Sequence, residues 1–150
     1  MAVQQRMPIK DEDAFPYGAF QVGPPEAVPD FKAPKREDGS RPQQVDKETG
    51  LPVWSIQVLD ADPEARKNSK TVTVKLLARQ QPVPPENTSG TPFNPVGFTG
   101  LTVMPWVEYT NGKNRDGKDA TRVAWSFRAE GLTAPGKSAQ RSSGDSGKGA

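Results

Sequence analysis

Asp60, Asp62 and Glu64, spaced D-x-D-x-E, form the tight acidic cluster of the strand-rich part of the chain. Alternating carboxylates of this kind open a calcium loop, in which each points at one cation. Here Pro63 intrudes, Ala65 stands where the loop needs glycine, and Thr71 stands where it needs a closing acid. Asp62 reads better as a helix N-cap, with Pro63 at the first helical position and Glu64 in the first turn. The Asn/Asp-rich loop 111–119 also lacks a closing acid, since Glu108 and Asp119 do not fit the spacing. Asp46, Glu48 and Asp60 could converge to hydrolyse a glycosidic bond, but a small core leaves little room for a substrate cleft. The sequence has no cysteine and no histidine. Disulfides, thiolate nucleophiles, Cys/His zinc sites and imidazole bases are therefore excluded. Neither a phosphate-binding G-x-x-x-x-G-K-[ST] loop nor a G-x-G-x-x-G fingerprint is present. A non-enzymatic protein without cofactor or metal is expected.

Basic and aromatic residues suggest a different chemistry. Arg66, Lys67 and Lys70 share one loop, Lys75 and Arg79 follow it, Lys113, Arg115 and Lys118 crowd a hairpin, and Arg122 and Arg128 alternate on one strand face. Trp54, Phe98, Trp106, Tyr109, Trp125 and Phe127 lie nearby. Binders of single-stranded nucleic acid combine a positive groove with aromatic platforms, each stacked base contributing ~1–3 kcal/mol. Trp54, Trp125 and Phe127 alternate with aliphatic residues and read as core. Trp106 and Tyr109, beside a basic loop and after Pro105, are the better stacking candidates. The candidate nucleic-acid-binding residues are Lys75, Arg79, Trp106, Tyr109, Lys113, Arg115, Arg122 and Arg128. Acids in the same region dilute this positive charge, and the whole chain carries only +2.

The elements that must position these residues are strands. Val53–Leu59 places Trp54, Ile56 and Val58 on one face, and Thr71–Leu76 places Val72, Val74 and Leu76 inward. Thr121–Ala129 sets Val123, Trp125, Phe127 and Ala129 opposite Arg122, Ala124, Ser126 and Arg128. Alternation with period two marks half-buried strands. Phe98–Tyr109 is a longer β-rich run in which Gly100 and Pro105 imply a bulge or bend and an edge position. Ala14–Val22 is a weaker first strand. Turn residues at 46–50 and 111–118 imply hairpins and an antiparallel sheet. One short helix or turn is expected at 60–66.

Leu, Ile, Val and Phe make up only 27 of 150 residues, against 16 prolines and 14 glycines. This supports one modest β domain over residues 13–132, with a Pro-rich charged connector at 24–42 whose possible anchors are Val28 and Phe31. Residues 1–12 read as a flexible N-terminus and 133–150 as a disordered Gly/Ser-rich tail. No secretory signal is evident at the start, and no apolar run approaches the ~20 residues that span a bilayer. The expectation is a cytoplasmic protein with no membrane partner.

Several blocks together resemble the actinobacterial plasmid replication, integration and excision activator family of mobile elements and phages. They are Phe15-Pro16-Tyr17-Gly18, Gln44 to Trp54 (Q-V-D-x-x-T-G-x-P-x-W), Leu59 to Arg66 (L-D-A-D-P-E-A-R), Phe98 to Val103 with Pro105, and Val123 to Ala129. The resemblance implies a small regulator that switches on replication and excision of a mobile genetic element, and it supplies no catalytic residues. Five short strands with one short helix suit an OB-like barrel, with an open sandwich as the alternative. The sequence offers no amphipathic helices for a helix-turn-helix. The expected partners are DNA, preferentially single-stranded, and the element's replication or recombination proteins, with a homo-oligomer as a further option. The competing expectation is a protein-interaction β module, or a small phage structural part, that binds no nucleic acid. A continuous positive face joining Lys75, Arg122 and Arg128 would favour the first reading. Neutralisation of those charges by Glu108 and Asp119 would favour the second.

Overall fold

The computed structural model describes residues 6–65, 67, 70–113, 115 and 117–135. The fold is nearly all-β. Its centre is the hairpin of β4 (Val53–Asp60) and β5 (Thr71–Leu77), in register from Val53↔Leu77 to Leu59↔Thr71. Alternation puts Ile56, Val58, Val74 and Leu76 inward, each at most 1% exposed. Between the two strands, residues 61–65 form turns, the second of the two forms expected for 60–66. Asp60 Oδ1 accepts the Asp62 N–H at 3.1 Å and Asp62 Oδ1 accepts the Glu64 N–H at 2.9 Å. These local side-chain bonds satisfy the backbone without a helical ladder.

The long run after residue 93 is two strands, not one: β6 (Asn94–Thr99) and β7 (Thr102–Lys113). Gly100 separates them at φ +61°, a conformation that glycine adopts without steric cost. After the tip, β8 (Asp119–Ala129) returns along β7 and turns at Glu130 into β9 (Gly131–Thr133), which pairs with β6. The Glu130 N–H donates to Thr99 O across this double bend at 2.8 Å. β2 (Ala19–Gln21) pairs with both β4 and β6. The antiparallel sheet read from the turns carries one parallel pairing, β5 with β8, at Val74↔Phe127, Lys75↔Arg128 and Leu76↔Ala129.

These pairings return on themselves. β2 joins β4, β4 joins β5, β5 joins β8, β8 runs into β9, β9 joins β6, and β6 joins β2. Counting each bent strand as one, five strands curl into a partly open, OB-like barrel. Phe15, Phe98 and Phe127 plug its interior, with ring centroids 5.9 Å apart for Phe15–Phe98 and 5.6 Å for Phe15–Phe127.

Of the N-terminus expected to be flexible, residues 6–12 are docked, and residues 1–5 lie outside the described residues. β1 (Met7–Pro8) pairs with β7, the Ile9 N–H donates to Leu101 O, and α1 (Asp11–Ala14) is the short helix of the fold. Asp11 anchors it by accepting the Phe98 N–H at 2.8 Å. A Cβ on neighbouring Gly97 would sit 2.9 Å from the same carboxylate oxygen and 3.1 Å from Ala134 O, so a larger residue there would have to displace the carboxylate that anchors α1.

The Pro-rich connector is pinned along the outside of β4. β3 (Glu26–Ala27) pairs with Ser55 and Trp54, and isolated bridges join Pro29 to Gln43 and Val45 to Pro52, closing the expected 46–50 hairpin. Phe31 is no anchor; it is 73% exposed with the Arg41 guanidinium 5.4 Å above its ring. At the C-terminal end, Thr133 still belongs to β9, and residues 136–150 of the expected tail lie outside the described residues.

Candidate functional site

Strand register sorts the predicted residues by face. Residues opposite one another in a ladder project to the same side. Ser55, Lys75, Arg128 and Thr102 are successive partners across β4, β5, β8 and β7, and lie on the outer face of the barrel. Three further outward pairs on the β7–β8 ribbon continue this face, Met104 with Ser126, Trp106 with Ala124 and Glu108 with Arg122. At ~3.3 Å per residue, Arg122 stands about 20 Å from Arg128 along β8. Lys75, Arg122, Arg128 and Trp106 therefore line one strip.

Arg6 joins this strip, and no sequence pattern marks it. Its guanidinium donates to the backbone oxygen of Ser126 at 3.2 Å, to Ser126 Oγ at 3.1 Å and to Thr102 Oγ1 at 3.4 Å. Burial, and then the neighbouring Arg128, lower its pKa from the ordinary arginine value. The missed signal was the docking of β1, which two residues of sequence cannot announce.

Acids sit among these cations. Arg122 Nε donates to Glu108 Oε2 in an exposed ion pair. Arg128 Nη1 is 3.8 Å from Asp46 Oδ1, on the connector hairpin, while its Nε is buried without a partner. The Asp46 carboxyl is held below its usual range, first by the Thr49 hydroxyl and also by the Thr49 N–H and Arg128. The strip is thus a mixed-charge surface with one half-exposed indole, Trp106.

The other predicted residues lie elsewhere. Tyr109 is on the opposite face of the ribbon, paired with Thr121. Arg79 is exposed beyond the end of β5, away from the ribbon tip. Arg115 is exposed in the tip turn, and Lys113 pairs with Asp119 through the backbone, its side chain lying outside the described ones. Arg66 also lies outside the described residues.

One core assignment is overturned. Trp54 and Phe127 do pack against the core, and the Trp54 indole N–H donates to Ala78 O at 2.9 Å. Trp125, however, is 52% exposed and Val123 64%. β5 covers only residues 127–129 of β8, and β1 covers only Thr102 and Val103 of β7. Beyond those contacts, among the described residues, the ribbon projects with neither edge paired, and its inward-parity residues Val107, Tyr109, Val123 and Trp125 are exposed.

A cavity of ≈ 220 Å³ lies at α1, lined by Asp11, Phe15, Gly97, Phe98 and their neighbours. None of the predicted basic or aromatic binding residues lines it. Among the described residues, no group of three or more acids is placed to hold a metal ion, and no helix is long and apolar enough to cross a membrane. Scans against protein-family models, curated proteins and solved structures find no match to this chain.

Proposed function

We propose that the chain is a non-enzymatic accessory protein that holds single-stranded DNA along the outer strip of β5, β8 and β7, in the replication, integration and excision of a mobile genetic element. The observation that carries this reading is the pairing of Lys75 with Arg128 on the outer face, with Trp106 farther along the same side of the β7–β8 ribbon. In such barrels the face of the second and third strands, with the loops joining strands one to two and four to five, takes oligonucleotides. Here those strands are β4 and β5, of which β5 carries Lys75 and belongs to the strip, and the loops are the connector 22–52 and the ribbon tip. Lys75 and Arg128 would meet phosphates and Trp106 would stack a base. The element's replication or recombination proteins remain the proposed protein partners, by the resemblance of the sequence blocks alone.

The test is fluorescence anisotropy with labelled single-stranded and duplex oligonucleotides across a salt series. Two phosphate contacts give a log–log salt slope of about −1.4 for single strands. Glu108→Gln frees Arg122 and is expected to tighten binding and steepen that slope. Absence of binding at ~50 mM salt, with folded protein in micromolar excess, overturns the proposal.

The ion pairs Glu108–Arg122 and Asp46–Arg128 favour a second reading, a protein-interaction β module. Both cations already have acidic partners, so fewer counterions are released on meeting a phosphate. A folded chain that ignores DNA but is retained by a replication protein of the element would fit this reading.

A further inference from the structure

The inner-parity face of the β7–β8 ribbon has no role in the DNA reading. It consists of three successive cross-strand pairs, Pro105↔Trp125, Val107↔Val123 and Tyr109↔Thr121. All six residues are exposed, with Val107 at 56%, Tyr109 at 72%, Val123 at 64% and Trp125 at 52%. Over residues 103–109 and 121–127 this face carries no charged side chain, whereas the opposite face carries Glu108, Arg122 and Arg128. It continues the barrel core outward, since Val103 and Phe127 have the same parity and pack inside. A two-stranded ribbon with an apolar face and no described residue behind it is marginal in water, so this surface needs a second layer.

We propose that the layer is the same face of a second copy of this chain, forming a two-fold symmetric dimer. Trp125 and Tyr109 could stack bases, but over these residues the face carries no cation to meet a phosphate, which argues against DNA as the occupant. The order of the pairs suits self-association. A two-fold axis through Val107–Val123 lays the Trp125–Pro105 end of one copy over the Tyr109–Thr121 end of the other. Each aromatic then meets a small side chain across the axis, and the contact is isologous and closed. The exposed fractions of the six residues amount to on the order of 500 Å² per copy, given ~150–250 Å² for a buried aromatic. The total sits just below the ~1,200 Å² at which stable interfaces begin. The dimer should therefore be weak, forming in the micromolar range. It stands independently of the DNA reading, because it uses the other side of the ribbon.

Sedimentation velocity of the full chain from about 1 to about 200 µM should show a mass rising from 16.2 kDa towards twice that value. High salt should preserve the dimer, as apolar contact requires. Val123→Glu places two like charges at the axis and should weaken dimerisation at least about tenfold. If that variant fails to fold, Tyr109→Ser provides the same test at the rim. The chain has no cysteine, so Val123→Cys alone should oxidise to a covalent dimer, whereas Arg79→Cys should not. A monomer throughout the concentration range overturns the proposal. So does a dimer that Val123→Glu and Tyr109→Ser leave unchanged, since its interface then lies elsewhere.

Discussion

At the residue scale, two aspartates show environment deciding chemistry that side-chain identity leaves open. Asp46 is held low by hydrogen bonds and a cation, so its ionised form stabilises the fold above the ordinary carboxylate pKa and that contribution fades as pH falls. Asp11 behaves oppositely. Burial raises its pKa, only partly offset by the Phe98 N–H, and neighbouring Glu12 raises it further. A raised folded-state value means that protonation favours the native state. That advantage is complete below the unfolded carboxylate value and is lost as pH rises through the folded one. Asp11→Asn keeps an oxygen for the Phe98 N–H and removes the desolvated charge. It is expected to stabilise the fold at neutral pH by well under about 1 kcal/mol, because the half-exposed carboxyl is screened, and so to raise the melting temperature slightly. The gain should vanish in melts below pH ~3.8. A Tm loss at neutral pH would mean that the charge-assisted bond outweighs burial. The sequence presents Asp11 as one of three adjacent acids; only the Phe98 contact distinguishes it.

At the element scale, the strands rich in alternation were legible and the short ones were not. β4, β5 and β8 follow the period-two pattern closely. β1, β3 and β9 are two or three residues long, too short to show any period. The break at Gly100 is legible as a punctuation mark but not as a strand boundary. Gly100→Ala tests it. The positive φ costs an L-residue ~1 kcal/mol, and the added Cβ would lie 2.6 Å from Glu130 Oε2 and 2.8 Å from its Cγ. Urea titration should show a loss of about 1–2 kcal/mol, and adding Glu130→Ala should recover the clash but not the backbone strain. Full recovery would assign the whole cost to the clash. Trp106 belongs to this scale too, because the projection of the ribbon sets its exposure. Trp106→Ala should weaken single-strand binding by ~1–3 kcal/mol per stacked base while leaving the melting temperature nearly unchanged. Wholesale unfolding would show it to be structural.

At the scale of the whole molecule, the candidate site was legible as a set of residue types and only partly as a place. Lys75, Trp106, Arg122 and Arg128 come together on one strip, Arg6 joins them, and Tyr109 and Arg79 do not. Side-chain parity along each strand, the polar turns and the absence of cysteine and histidine chemistry follow from the sequence by itself, because they depend on near neighbours in the chain. Only the tertiary structure decided that β5 meets β8 in parallel, so that Lys75 stands beside Arg128. It also decided that β5 covers no more than the end of β8, so that Trp125 and Val123 face solvent with the parity of a core. The physical reason is the same for both. Alternation fixes which way a side chain points, whereas burial depends on whether a strand some fifty residues away lies alongside to meet it.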